Sequence, residues 1–317
     1  MNKIKLILKV KIVTIFLLGF TLTSFSQIDL SDTTAVVIAH WKMNEMQSYK
    51  VSSSSNTTEE DNIISSESIL YDLSVKVIDS TQVGYILEWT RKNFEITSDD
   101  DFEKTLIKIS EDLPFWITTD EFGSSIQVLN WEDVGNEIMK RAETLKESNK
   151  NFPERIRKIN KIVRQSSSKE LLEMSMILDA QQFFAFHGAK YKFDEKIDLK
   201  VKVPNNFGGD PLDANSTLIM DQVNINQGTF IIRSSQRINP QQLTAVTYDY
   251  LSSLNMVGAE LPPFEEFPLV TKLMWGGSEI HGISGWVLYS IETKQTNSNK
   301  LVVIEERSIE LVRKINN

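Results

Sequence analysis

The stretch GGSEIHGISG places His281 three residues from Ser278 and three from Ser284. A hydroxyl beside an imidazole is the pairing that nucleophilic catalysis uses, the imidazole taking the hydroxyl proton. The spacing opposes that chemistry here. The flanking residues read as a strand, and residues three apart on a strand point to opposite faces. The stretch also lacks the glycine spacing of a G-x-S-x-G nucleophile elbow. His187 ends an apolar segment, where a cationic or hydrogen-bonded helix cap is the simple reading. His40 reads as a strand-face residue. The adjacent carboxylates Glu305-Glu306 and Glu265-Glu266 face apart on an extended backbone, so neither pair makes an acid and a base across a cleft.

Other reaction motifs are missing from the sequence. No Gly-rich loop precedes a Lys-Ser or Lys-Thr pair, and no HExxH-type zinc spacing occurs. SDDDFEK lacks the glycine and the later glutamate of a calcium loop. With no Cys and only 3 His, the chain has no thiol nucleophile, disulfide framework or thiolate metal site. No catalytic residue, metal or cofactor is assigned, and binding is favoured over catalysis. A hydrolase with a site assembled from distant residues is the remaining enzymatic alternative.

Two residue sets suit binding. Phe183, Phe184 and Phe186, with Trp275 and Trp286 on later strands, are candidates to line an apolar cavity. Arg155, Arg157, Lys158 and Lys161 sit in the run 140–169, which holds ten bases against three acids. They are candidates to meet an acidic partner or an anionic glycan. The plain alternatives are a packed core for the first set and a solvated helix face for the second.

These residues need elements to position them. Ala35–Met46 opens as a strand, and Tyr49–Glu60 reads as an exposed edge strand or a loop. Tyr71, Leu73, Val75 and Val77 alternate with polar residues, as do Tyr85, Leu87 and Trp89, which predicts a hairpin. A helix is expected from Ser98 or Asp99, with Phe102, Leu106 and Ile109 on one face. A second hairpin is expected from Phe115–Thr118 and Ser125–Leu129. Asn130 is the expected cap of the next helix, and Pro153 opens another. A third helix is expected from Ser167, with Glu170 completing a capping box, and it stays apolar nearly all round as far as His187. Such a helix needs cover on more than one side. The alternation from Tyr191 to Val203, a hairpin around Gln227-Gly228 and three C-terminal strands complete the set. Between them Asn239 and Pro240 open a helix whose stripe is Leu243, Val246, Tyr250 and Leu254.

Strands joined by short turns and separated by runs of helices predict an α+β fold, a curved antiparallel sheet with helices packed on its concave face. The expected halves, 35–129 and 188–315, are joined by helices 130–187 in a single domain spanning 27–317.

The first 26 residues read as a secretory signal peptide. Lys3, Lys5, Lys9 and Lys11 precede the apolar run Ile12–Leu22, and Ser24 and Ser26 suit cleavage after Ser26. This predicts a periplasmic or extracellular protein with no stable membrane span after cleavage. The 34 bases and 43 acids of the whole chain become 30 and 43, a net charge of −13. That balance argues against nucleic acid as a partner.

ITTDEFGSSIQVLNWEDVGNEI resembles a pattern in uncharacterised exported proteins of Gram-negative envelopes, a group that brings no activity with it. GSEIHGISGWVLYSIETKQTNSNKLVVIEE is similar to the late antiparallel strands of half-barrel lipoprotein carriers. That likeness implies a curved sheet holding apolar groups against helices. The long helical insert departs from the carrier pattern, and no site residue is carried over. The expectation is a non-enzymatic exported binding or envelope-associated protein. Its partner is an apolar small molecule or, through the basic helices, an acidic envelope component.

Overall fold

Period-two alternation dominates the architecture. The computed structural model describes residues 28–29 and 33–312, apart from 61, 82, 99, 125, 206 and 254–260. The leader expected over 1–26 lies outside these residues, as do Asp99, Ser125 and Leu254.

Two short strands come first, β1 (Ile28–Asp29) and β2 (Thr34–Val36). The strand expected to run on to Met46 stops there. Val37, Ala39 and His40 donate their N–H groups to three separate segments, at Ala189, Phe122 and Ser284, so no ladder forms and His40 stands exposed off any strand. Then β3 (Met46–Glu59), β4 (Asn62–Thr81) and β5 (Gly84–Ile96) run as a meander. Helix α1 (Asp101–Ile107) follows, its first turn capped by the Asp100 carboxylate accepting from the Phe102 N–H at 2.8 Å. The second hairpin is β6 (Pro114–Thr118) and β7 (Gln127–Val128).

Helices α2 (Trp131–Asn149), α3 (Pro153–Gln165), α4 (Lys169–Met176) and α5 (Leu178–Phe183) come next. Asn130 does not cap α2 with its side chain. Its Oδ1 accepts from the Trp116 N–H at 2.8 Å and its Nδ2 donates to the Pro114 carbonyl at 2.9 Å, tying β6 to the helix entrance. The capping hydroxyl of α4 is that of Ser168, one residue later than expected.

The apolar helix expected to run unbroken to His187 divides at Ile177 (φ −120, ψ 30). In a continuous helix the Met176 carbonyl would accept from the Ala180 N–H. Here Arg91 of β5 donates to that carbonyl, and the Ala180 N–H turns to the Asp179 carboxylate at 3.0 Å. A tertiary contact therefore overrides the local helix signal.

The second half comprises β8 (Lys190–Lys192), β9 (Lys196–Val203), β10 (Leu212–Asn224), β11 (Thr229–Ile238), α6 (Pro240–Ser253), β12 (Val270–His281), β13 (Val287–Ser298) and β14 (Leu301–Leu311). The alternating run 191–203 is cut by Asp194, whose φ of 59 turns the chain between β8 and β9. Asn239 does cap α6, accepting from the Gln241 and Gln242 N–H groups at 3.0 and 3.1 Å.

Eleven strands form one open antiparallel sheet in the order β7-β6-β5-β4-β3-β14-β13-β12-β11-β10-β9. The first and last long strands, β3 and β14, are neighbours, and their pairing from Leu301↔Glu59 to Leu311↔Tyr49 joins the two meanders. This corrects the reading of YKVSSSSNTTEE as an edge or a loop. The segment is an interior strand, paired on both sides, and its serines satisfy the ladder through backbone groups that need no apolar side chain. A second, three-stranded sheet has the order β1-β2-β8. The main core gathers Tyr49, Leu73, Trp89, Phe115, Ile138, Leu172 and Phe183 between one sheet face and the helices. A smaller cluster, Leu212, Ala214, Ile238, Leu243 and Val270, lies under α6.

Candidate functional site

The expected aromatic lining is divided by the fold. Phe183 packs edge-on against Tyr49 and Trp89, with centroids 5.5 and 5.4 Å apart. Phe184 and Trp286 join the same cluster around Trp41, which stacks on Trp286 at 4.6 Å. Phe186 meets Tyr191 edge-on, while Trp275 on β12 stands 42% exposed and apart from them. Aromatic edges and faces fill this region as a core does.

Beneath α5 lies the most polar point of that core. Arg91 and Asp179 form a buried ion pair at 2.9 Å. The Asp179 carboxylate also accepts from Trp89 Nε1 and the Tyr71 hydroxyl, each at 3.2 Å. Burial works to raise the Asp179 pKa, but the Arg91 charge and these donors outweigh it and hold the carboxyl below its ordinary range. Burial beside Asp179 pushes the Tyr71 phenol up. Every charge here has its partner, and the network anchors α5 to β4 and β5.

Two of the histidines are hydrogen-bonded, His187 to a backbone carbonyl and His281 to a serine hydroxyl. Burial pulls the His187 pKa down to about 4, against a smaller opposing effect from the Gly285 carbonyl at 2.9 Å. His187 is therefore a neutral, hydrogen-bonded residue at neutral pH, and the cationic form of its expected cap is not the one present. Its receiving loop depends on Gly285 (φ 73), where a Cβ would overlap the Ile38 carbonyl. Ser278 is buried and bonded to Ser290 Oγ at 2.9 Å, whereas His281 Nδ1 contacts Ser284 Oγ at 2.8 Å. His281 and Ser278 thus have separate neighbours. The chain turns after His281, the last residue of β12, and so brings Ser284 against the imidazole, unlike the opposite faces expected of a continuous strand.

The basic set faces acids of its own chain. Arg155 reaches Asp100 at 3.2 Å and lies over the rings of Phe102 and Phe152 at 4.9 and 4.8 Å. Lys158 pairs with Glu103, and Arg157 with Glu154. Lys161 is exposed one turn on from Arg157 and Lys158. Helix α3 thereby neutralises the acidic first turn of α1.

No protein-family model matches the chain, and no curated protein is similar to it. The site therefore has to be found from geometry alone.

A cavity of about 850 Å³ lies at the other end of the sheet. Its position follows from the edge strand. β9 pairs with β10 only as far as Ile219↔Lys196, because the turn at Asp194 carries the chain away to β8. Phe193 bridges Met220 and the Asp194 N–H donates to the Met220 carbonyl at 2.9 Å, so the outer edge of β10 is uncovered past Met220. Met220 and Phe230 floor this cleft, each 1% exposed, while Phe193 and Ile225 stand 41% and 64% exposed at its margin. The polar lining sets the carboxylates of Asp221 and Glu279 among the carboxamides of Gln222, Asn224 and Asn226. Asp221 sits at a bulge in β10, with Oδ2 taking Arg233 Nε at 2.6 Å and Oδ1 buried without a partner. Glu279 accepts from the Thr229 hydroxyl at 3.0 Å. An apolar body with a hydrogen-bond donor suits this lining.

Sequence reasoning passed over these residues. A signal was present: Ile225 is an apolar residue inside the turn segment NINQG, where a solvated loop has no use for one. Among the described residues, no group of His, Asp or Glu could hold a metal ion, and no helix is long and apolar enough to cross a membrane.

Proposed function

We propose that this chain is a non-enzymatic exported binding protein that holds an apolar small molecule bearing a hydrogen-bond donor in the cleft beside β10 and β11. The observation carrying the reading is the cleft itself. Its volume of about 850 Å³ falls in the range of small-molecule sites. Its floor is apolar, and its one buried orphan atom is an acceptor. In this reading the sheet curves around the helices, and α4 and α5 fill its concave face as a fixed core. The leader 1–26 is removed on export to the periplasm or the extracellular space.

The test uses mature protein beginning at Gln27. Native mass spectrometry after mild purification is expected to show a bound apolar mass. A fluorescent long-chain alkylamine should bind saturably, and more tightly than the matching fatty acid, because Asp221 and Glu279 repel a carboxylate. Absence of both a carried mass and saturable uptake would sink the reading.

A further inference from the structure

Past α5, the helix-bearing face of the sheet changes character within one step of the pleat. Ile232, Ser278, Ser290, Ile309 and Val51 form one cross-strand row, and all are at most 1% exposed. The next row on the same face is Ser234, Gly276, Glu292, Arg307 and Ser53. Small residues there flank two charges and leave a trough beside α5. It contains two adjoining cavities of about 160 and 140 Å³, which share Leu178, Glu292, Lys294 and Arg307 in their walls. Glu67, Glu305 and Glu306 make the larger one acidic, whereas the smaller, lined by Gln182, has Glu292 as its one carboxylate, so an anion fits the smaller. Gly276 in this row admits no side chain, since a Cβ there would stand 2.7 Å from the Ile291 carbonyl oxygen of the paired strand.

One atom beside this trough lacks a partner, and one cationic side chain lacks a direct one. Gln182 of α5 is 6% exposed and lines the smaller cavity. Its Nε2 donates to Ser290 Oγ and to the Arg307 carbonyl, each at 3.1 Å. A backbone carbonyl only accepts, so the nitrogen end of the amide must face it. Oε1 is then left buried with no donor, an arrangement that costs free energy until a donor arrives. The second group is the Arg307 guanidinium. Its cross-strand neighbour Glu292 pairs with Lys294 instead, at 2.7 Å. Among the described residues Arg307 has no direct ion pair or side-chain hydrogen bond, although its charge acts from a longer range on the Asp179 carboxylate and the Tyr71 phenol.

We propose that this trough binds a small carboxylate with an adjacent O–H or N–H donor, the carboxylate on Arg307 and the donor on Gln182 Oε1. A planar guanidinium matches a carboxylate with two parallel hydrogen bonds. α-Hydroxy acids and α-amino acids share the required chemistry. The cavities are too small for a lipid chain, and they share no lining residue with the cleft beside β10. The site therefore stands or falls independently of the apolar reading.

Calorimetric titration of the mature chain with lactate, alanine and propionate tests it. Lactate or alanine should bind saturably, and propionate, which has no donor, about tenfold more weakly. Binding by only one of the first two identifies the ligand class. Arg307→Gln should weaken binding about tenfold or more, with Arg307→Lys intermediate. Gln182→Met should remove the advantage over propionate while leaving Arg307 in place. Thermal melts check that each variant folds, and parallel alkylamine uptake reports the separate cleft. Equal binding of propionate, unchanged binding by folded Arg307→Gln, or no saturation by any of the three overturns the proposal.

Discussion

The two ends of the sheet differ in how they hold a buried carboxylate. At the β4–β5 end, Arg91, Asp179, Tyr71 and Trp89 are buried, and their polar groups meet one another beneath α5. At the β9–β11 end, Phe193 and Ile225 stand exposed, and the Asp221 Oδ1 atom is buried without a partner. Four elements converge on Asp179: β4, β5, α4 through the Met176 carbonyl, and α5 itself. At the open end β9 stops short, and α6 covers only the small cluster around Leu243. The contrast places the larger buried cluster in the first region and the smaller in the second.

Breaking the buried ion pair should produce the largest effect. Arg91→Met leaves Asp179 charged, buried and unpaired, and should cost about 3–5 kcal/mol in urea unfolding. The double variant Arg91→Met, Asp179→Leu should recover most of that loss, because no charge then remains buried. If the double variant is as weak as the single one, the pair matters for geometry rather than charge.

Acid tests the same end through a different group. His187 titrates at about 4 when folded against 6.5 when unfolded. The unfolded chain therefore binds more protons in that interval, and stability falls as pH drops from 6.5 to about 4. The total loss is on the order of 3 kcal/mol. Asp179 adds a separate loss only below its ordinary 3.8, as its depressed folded pKa is approached. Melting temperatures across this range should slope less in His187→Gln than in the parent.

The smaller cluster should respond more weakly. Leu243→Ala removes a residue 8% exposed from a group with few neighbours, and a cost near the low end of core truncations, about 2 kcal/mol, is expected in urea unfolding. A cost equal to that of Phe183→Ala would mean the two ends are equally well packed.

The smallest effect on stability, within about 0.5 kcal/mol, is expected for Ile225→Ser at the cleft margin. The same change should lower alkylamine affinity, which a fluorescence titration reads directly. Large destabilisation would show that Ile225 supports the fold and that the cleft margin is not a free surface.

Local signals were readable wherever one element decided the outcome. The β4–β5 alternation, the Pro153 and Pro240 helix starts and the Asn239 cap all appear where their residues predict them. The misreadings share one cause. Ser52–Ser55 looked like an edge because the sequence does not show that β14 returns beside it. The segment from Ser167 to His187 looked like one helix because Arg91, far away in sequence, takes the Met176 carbonyl. The cleft was invisible for a related reason: it exists where a strand ends, and the turn at Asp194 gives no sign of what is left uncovered.

By itself the sequence determined the material of this protein: long alternating strands, an acidic balance, no cysteine chemistry and the positions of most turns. Those properties are set by side chains within a few residues of one another. Tertiary structure alone decided which strands are neighbours, where the apolar helix breaks, and which polar atoms end without partners. Those outcomes depend on backbone and side-chain groups that meet from far apart in sequence, 85 residues for Arg91 and Met176 and 125 for Gln182 and Arg307. No local pattern encodes such a meeting, because its energy exists only once both segments are in place.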